Sequence, residues 1–250
     1  MRNDIYAQLL AGVPESAVIK RVLLGLSWSA VEVDGYGVGL CFSPLQVART
    51  LSWPGTLAGR KACDLGSWIN HWDAAEAVIG QATINAVLNH ASPLSDSAQL
   101  LSAPQWPAHL QVFGHFAPQL TGQNVVVIGH YPGLEKFCEL FRYTCIERNP
   151  RPGDLPDTAA EYLLPEADWV FITATSLANK TLPRLLQLAA DATVVLMGPS
   201  LPWAAKWQDY GVDYLAGIRI MDEQALWQVI AEGGGTRLFD RVVRYCLLPL

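Results

Sequence analysis

Residues 124–133 read Asn-Val-Val-Val-Ile-Gly-His-Tyr-Pro-Gly. Val125–Ile128 is an unbroken β-branched run, bounded by Asn before and Gly after. A short run of this kind predicts a strand apolar on both faces, as in a covered parallel sheet. Outward from it the pattern repeats. Thr144–Arg148, Trp169–Thr173, Thr193–Met197 and Tyr214–Ile220 are further predicted strands. Helical patterns separate them at Leu134–Phe141, Ala159–Leu164, Leu182–Ala190, Trp203–Tyr210 and Glu223–Glu232, and Gly233-Gly234-Gly235 stops the last. This alternation predicts α/β architecture, with a Rossmann-like parallel sheet over residues 121–250.

Residues 1–92 have another texture and predict an α+β domain. Asp4 caps a helical pattern at Ile5–Leu10. Strand-like text at Val22–Ser29 and Tyr36–Phe42 flanks Asp34-Gly35, a hairpin signal. Helical text follows at Leu45–Leu51, Lys61–Ile69 and Asp73–His90. The last carries Ala74, Ala75, Ala77, Gly80, Ala82 and Ala86, small enough for close packing against a neighbour. Gln81, Asn85 and Asn89 share one face of it, either solvated or turned to a ligand cleft. Residues 93–120, with Pro93, Pro104, Pro107 and Pro118, read as a linker or covering segment.

Of the 250 residues, 51% are hydrophobic and only 16% charged, which excludes a disordered chain. No apolar run approaches the roughly 20 residues of a membrane span. No basic apolar leader opens the sequence, so the chain reads as cytoplasmic. The net charge is −6 without a basic cluster, which argues against a nucleic-acid partner. Cys41, Cys63, Cys138, Cys145 and Cys246 form no Cys-x-x-Cys pair and read as reduced thiols. Any metal site must therefore assemble from distant positions. A small-molecule ligand is the expected partner, and a homo-oligomer is left open.

Open parallel sheets bind ligands at the carboxyl ends of their strands. Four loops there are polar: Gly129-His130-Tyr131, Glu147 to Asp157, Thr173 to Thr181, and Gly198-Pro199-Ser200. His130 ends the first strand and can serve as acid, base or metal ligand. Glu147 stands where Rossmann proteins hold a ribose. Thr181 and Ser200 precede Leu-Pro and are predicted helix caps, with Lys180 beside the first. The first loop is not Gly-x-Gly-x-x-Gly, which weighs against a dinucleotide site.

These loops also resemble a known family. Gly129-His130-Tyr131-Pro132 is similar to the Gly-His-Phe-Pro element of proteins assigned to heavy-metal chelation, once a domain of unknown function. The resemblance continues in Asn149-Pro150, Gly153-Asp154, Pro156-Asp157, Ala160–Pro165, Asn179-Lys180-Thr181, Gly198-Pro199-Ser200, Gly211–Asp213 and Leu215–Gly217, and upstream in Gly59–Ala62, Trp68 and Ile79–Ala86. It covers most of the chain; Tyr131 stands where Phe is expected. It implies an enolase-N-terminal-like domain before a Rossmann-like one, with a site between them. The implied role is condensation or hydrolysis in handling a pterin-, flavin- or siderophore-like metal chelator. The cofactor is left open as a metal ion or metal chelate.

On this reading His130, Asp157 and Glu161 are the catalytic candidates. Gly129, Tyr131, Glu147, Asn149, Thr173, Ser176, Asn179, Lys180, Gly198, Ser200 and Asn85 are the ligand-binding ones. Two rivals stand beside it: a non-catalytic carrier of a metal or its chelate, and a methyltransferase using S-adenosylmethionine, with Glu147 on the ribose.

Overall fold

The computed structural model describes residues 4–43, 50–90 and 92–250. The helix expected at Leu45–Leu51 falls largely outside them. Three strands, β1 (Ile19–Leu24), β2 (Trp28–Val33) and β3 (Val38–Phe42), form an antiparallel sheet in that order. Asp34-Gly35 makes the expected hairpin, between β2 and β3. The strand expected at Val22–Ser29 instead straddles a turn: β1 stops at Leu24 and β2 starts at Trp28. Gly25 there lies so close to the carbonyls of Trp28 and Ile230 that no side chain fits. The apolar run alone did not reveal that break.

The helix Ala74–Leu88 lies across this sheet, capped by Asp73, whose carboxylate accepts N–H bonds from Ala75 and Glu76. It is buried around its whole circumference. A Cβ on Gly39 of β3 would lie 2.1 Å from the Ala82 carbonyl and the Ala86 nitrogen, so strand and helix touch backbone to backbone. That closeness is what the small residues permit.

The second sheet has eight strands. They are β4 (Gln99–Leu100), β5 (Val125–Ile128), β6 (Tyr143–Glu147), β7 (Leu155–Pro156), β8 (Trp169–Thr173), β9 (Thr193–Met197), β10 (Tyr214–Ile220) and β11 (Val243–Pro249). Their order is β4-β11-β10-β9-β8-β5-β6-β7. Strands β7 to β10 pair in parallel, while β11 is antiparallel to both β10 and β4. From β7 to β10 this is the 3-2-1-4-5-6 order of a doubly wound sheet, reversing between β5 and β8. The α/β class, α+β unit first and Rossmann-like sheet second, is as the sequence implies.

Alternate residues of the central strands serve two cores. Val126, Ile128, Val170, Ile172, Val194 and Leu196 pack in one cluster with Ile79, Ile84 and Leu186. Val125, Val127, Phe171, Val195 and Met197 face the other way, onto Phe113, Phe116 and Leu120. Residues 93–120, read from the sequence as a linker or covering segment, supply β4 and the helix Gln111–Leu120 that packs on this second face. Two expected helices are shorter 3-10 turns, at Leu134–Phe137 and Ala205–Tyr210. Strand β11 is an addition that the sequence reading did not foresee. Among the described residues no helix is long and apolar enough to cross a membrane.

The amides at 81, 85 and 89 are neither a solvated face nor an open cleft wall. Gln81 and Asn85 are fully buried. Gln81 Nε2 donates to the carbonyls of Ala174 and Ser200 at 2.8 and 2.7 Å. Asn85 Nδ2 donates to Leu40 and Ser200 at 2.8 and 2.9 Å. Asn89 donates to the Leu201 carbonyl and accepts the Trp203 N–H. Loop carbonyls that left the sheet ladder need such partners once buried. The row stitches the helix Ala74–Leu88 to β3 and to the loops after β8 and β9.

Candidate functional site

The chain leaves β5 through Gly129, at φ +106°, with a Cβ position 3.2 Å from Thr173 Cγ2. Only glycine takes that turn without strain. It places His130 at the reversal point of the sheet. The His130 N–H donates to Glu147 Oε2 at 3.0 Å, and the Asn149 N–H donates to Glu147 Oε1 at 3.2 Å. Both carboxylate oxygens of Glu147 therefore hold backbone of the two neighbouring loops. A ribose would have to compete for them.

The turn Arg151–Asp154 curls back against His130. Asp154 Oδ2 lies 3.0 Å from His130 Nδ1 and accepts the Arg151 N–H at 3.0 Å. Cys145, on β6, places its Sγ 3.5 Å from the Gly129 carbonyl. One ligand-type atom each from His130, Cys145 and Asp154 lies within 4.8 Å of the other two. The Asp154 side chain is 7% exposed and that of His130 is 27%, so the group sits in a crevice with the imidazole at its mouth.

Burial pushes the Cys145 thiol up to about 12, and the neighbouring Asp154 and Glu147 add to it. Burial also pushes Asp154 upward, but the Arg151 N–H, the Cys145 thiol and His130 outweigh it and hold the carboxyl below its ordinary value. Without a cation the arrangement is thus a neutral thiol turned to the Gly129 carbonyl, beside a carboxylate paired with an imidazole.

The carboxylates singled out in the sequence lie elsewhere in the bonding scheme. Asp157 faces Arg148 at 3.8 Å, both half exposed. Glu161 forms an ion pair with Arg184 at the surface. The acid that meets His130 is Asp154, which the sequence reading passed over although it lies within the quoted Gly153-Asp154 element. Cys145 carried no spacing signal; only its register on β6, one strand from His130, brings it in. Cys41 and Cys138 are not part of this group: Cys41 is buried on β3 and Cys138 is exposed.

A second polar row runs along the same edge. Tyr131 packs edge-on against Phe113, with centroids 5.2 Å apart. The Thr173 hydroxyl donates to Thr175 at 3.3 Å, and Thr175 meets Ser200 Oγ at 3.3 Å. Ser200 accepts the Phe42 N–H at 3.0 Å and is not a helix cap, because the following helix begins only at Ala205. Thr181 precedes its helix but makes no capping bond; its hydroxyl and N–H donate to Asn179 Oδ1. Ser176 is fully buried and donates to the Thr173 carbonyl at 2.6 Å. Gly198 makes the turn after β9 at φ +111°. Lys180 is half-buried with its Nζ 2.7 Å from the Ala178 carbonyl.

Two family models match the chain, over residues 6–88 and 111–249, and both carry the description "Putative heavy-metal chelation". The second, DUF364, contains His130, Cys145 and Asp154. An uncharacterized protein of Methanocaldococcus jannaschii is 31% identical over 162 residues, 60% of this chain. The match spans 57% of that relative's length. A crystal structure of a DUF364 protein of unknown function from Desulfitobacterium hafniense superposes with TM-score 0.85 at 28% identity, over 98% of both chains. Another from Pyrococcus horikoshii gives 0.79 at 19% identity over 98% of both chains, a likeness of fold.

Proposed function

Because the chain belongs to the heavy-metal chelation family DUF364, we propose that it binds a thiophilic divalent metal ion at His130, Cys145 and Asp154. The observation that carries this is the mutual approach of the three donor atoms within 4.8 Å at the sheet's reversal point. Zinc bonds to sulfur, nitrogen and oxygen run about 2.0–2.3 Å, so donors around a tetrahedral ion stand roughly 3.3–3.8 Å apart. A small contraction closes the set. Thiolate, imidazole and carboxylate together suit zinc or a softer ion better than magnesium or calcium. The ion would take the place of the thiol proton and make a thiolate of Cys145. Three protein donors leave a coordination position for a water or for an atom of an organic chelator, as open zinc sites do. Glu147, by fixing the His130 and Asn149 backbone, holds the imidazole loop in place. On this reading the metal is cargo, bare or as a chelate.

Calorimetry of the apoprotein with zinc or cadmium tests it. One ion per chain is expected, with C145S, H130A and D154N each weakening binding severely. Wild-type affinity in all three variants would overturn the assignment.

The 3.0 Å pairing of His130 Nδ1 with Asp154 favours a second reading. An imidazole held at Nδ1 by a carboxylate keeps Nε2 for proton transfer. Condensation or hydrolysis would then use His130 as base without needing Cys145, so C145S would keep full turnover. The methyltransferase reading has less support, because Glu147 is engaged with backbone N–H groups.

A further inference from the structure

Lys180 is the one non-glycine residue with positive φ among those described, at +68°. A side chain at that angle strains the backbone, and such strain is concentrated at functional sites. Lys180 lies in the loop after β8, at the carboxyl edge where doubly wound sheets take their ligands. It is half-buried, and among the described residues no carboxylate pairs with it. Its protein hydrogen-bond partner is the Ala178 carbonyl. The titratable group that faces it from a packed element is the Cys41 thiol of β3, itself fully buried. Burial lowers the Lys180 ammonium below its ordinary range, and Cys41 offsets this only in part. Hydroxyls of Thr175 and Ser200 line the same edge. A strained, partly desolvated lysine without a counter-ion is costly to maintain as a surface charge. It is well suited to act as a nucleophile.

We propose that Lys180 is a reactive amine that forms an imine with an aldehyde or ketone substrate at the carboxyl edge of β8. The neutral Nζ attacks the carbonyl carbon, and the resulting carbinolamine eliminates its oxygen as water while the C=N bond forms. The two N–H protons of the amine leave on that water, so no oxidant or reductant is consumed. This activity is independent of the metal site.

The chain has five lysines, Lys20, Lys61, Lys136, Lys180 and Lys206, which serve as internal references. The protein is incubated near neutral pH with glyoxylate and sodium cyanoborohydride, and N-carboxymethylation is followed by peptide mass spectrometry. Lys180 is expected to label severalfold faster than the exposed Lys206, because partial burial leaves more of its amine in the free form. Equal or slower labelling at Lys180 overturns the proposal. A second variant checks the strain argument. K180G is expected to fold with a thermal midpoint at or above that of the parent chain, because glycine accepts the positive φ. A midpoint clearly below the parent's would make Lys180 a structural residue and overturn the proposal as well.

Discussion

Two groups of polar side chains at the carboxyl edge of the large sheet differ in how their bonding capacity is spent. In the row Gln81, Asn85 and Asn89, every amide N–H donor that the structure engages goes to a backbone carbonyl, of β3 or of the loops after β8 and β9. In the group His130, Cys145 and Asp154, side chains point at one another. The first group closes an interface. The second concentrates a sulfur, a nitrogen and an oxygen around a common centre. Polar residues at helical spacing and polar residues after strands look alike in sequence. Their partners separate glue from a site.

The largest effect should come from breaking the glue. Asn85→Leu takes the amide donor from the buried Leu40 carbonyl, at about 1–3 kcal/mol, and one of two amide donors from the Ser200 carbonyl, which keeps Gln81, at about 0.5–1.5 kcal/mol. A loss of roughly 1.5–4.5 kcal/mol is expected in urea denaturation. Metal affinity of the folded fraction should stay near that of the parent. If Asn85→Leu instead abolished binding at unchanged stability, the two groups would not be distinct.

Next comes the site itself. Cys145→Ser should reduce zinc or cadmium affinity by on the order of 100-fold or more, given that even supporting residues of metal sites cost 10–100-fold. Its unfolding midpoint should move little, which denaturation in the presence of a chelator can verify. Glu147→Gln is a gentler probe of the same region. It retains shape but weakens the grip on the His130 and Asn149 N–H groups, so about a tenfold loss of affinity is expected. Isothermal titration of both variants ranks them, and the reverse ranking would make Glu147 rather than Cys145 central.

The smallest effect tests a buried charge that belongs to neither group. Glu32 on β2 bonds Lys20 and Arg21, and its side chain is 10% exposed. Burial pushes its carboxyl up, but the two cations outweigh this and hold it below the ordinary value. A carboxyl lowered on folding stabilises above its unfolded pKa of about 4.3, and that stability is lost as pH falls through the folded value. Glu32→Gln should therefore flatten the fall in stability below about pH 5. Thermal unfolding of both proteins across that window reads it. Parallel curves would show that Glu32 contributes nothing there.

Much of the central sheet was legible because continuous apolar runs between glycines and polar loops have few other uses. Strands β9 and β10 lie where Thr193–Met197 and Tyr214–Ile220 predicted. The antiparallel β11 escaped notice because Val-Arg-Tyr-Cys-Leu-Leu-Pro alternates imperfectly and has no helix after it. The break between β1 and β2 depends on how closely Gly25 approaches other backbone, which no local pattern encodes. His130 and Glu147 were found because a strand end has a known geometric meaning. Asp154 was not, because it reaches His130 only when the 151–154 turn folds back across the end of β6. Cys145 needed the β5–β6 register.

The pairing of β11 with β4 has a temporal consequence. Residues 99 and 100 bond with 246 and 247, and the Leu101 N–H donates to the Tyr245 carbonyl. A chain emerging from the ribosome at roughly 5–20 residues per second makes β4 wait about 7–30 seconds for its neighbour. The N-terminal helix and hairpin can assemble meanwhile, whereas the far edge of the large sheet is sealed last. Strand β10 is itself without its β11 partner only from its own synthesis until β11 follows, about 1–6 seconds at the same rate, so translation speed over residues 221–249 sets how long that apolar rim stays exposed.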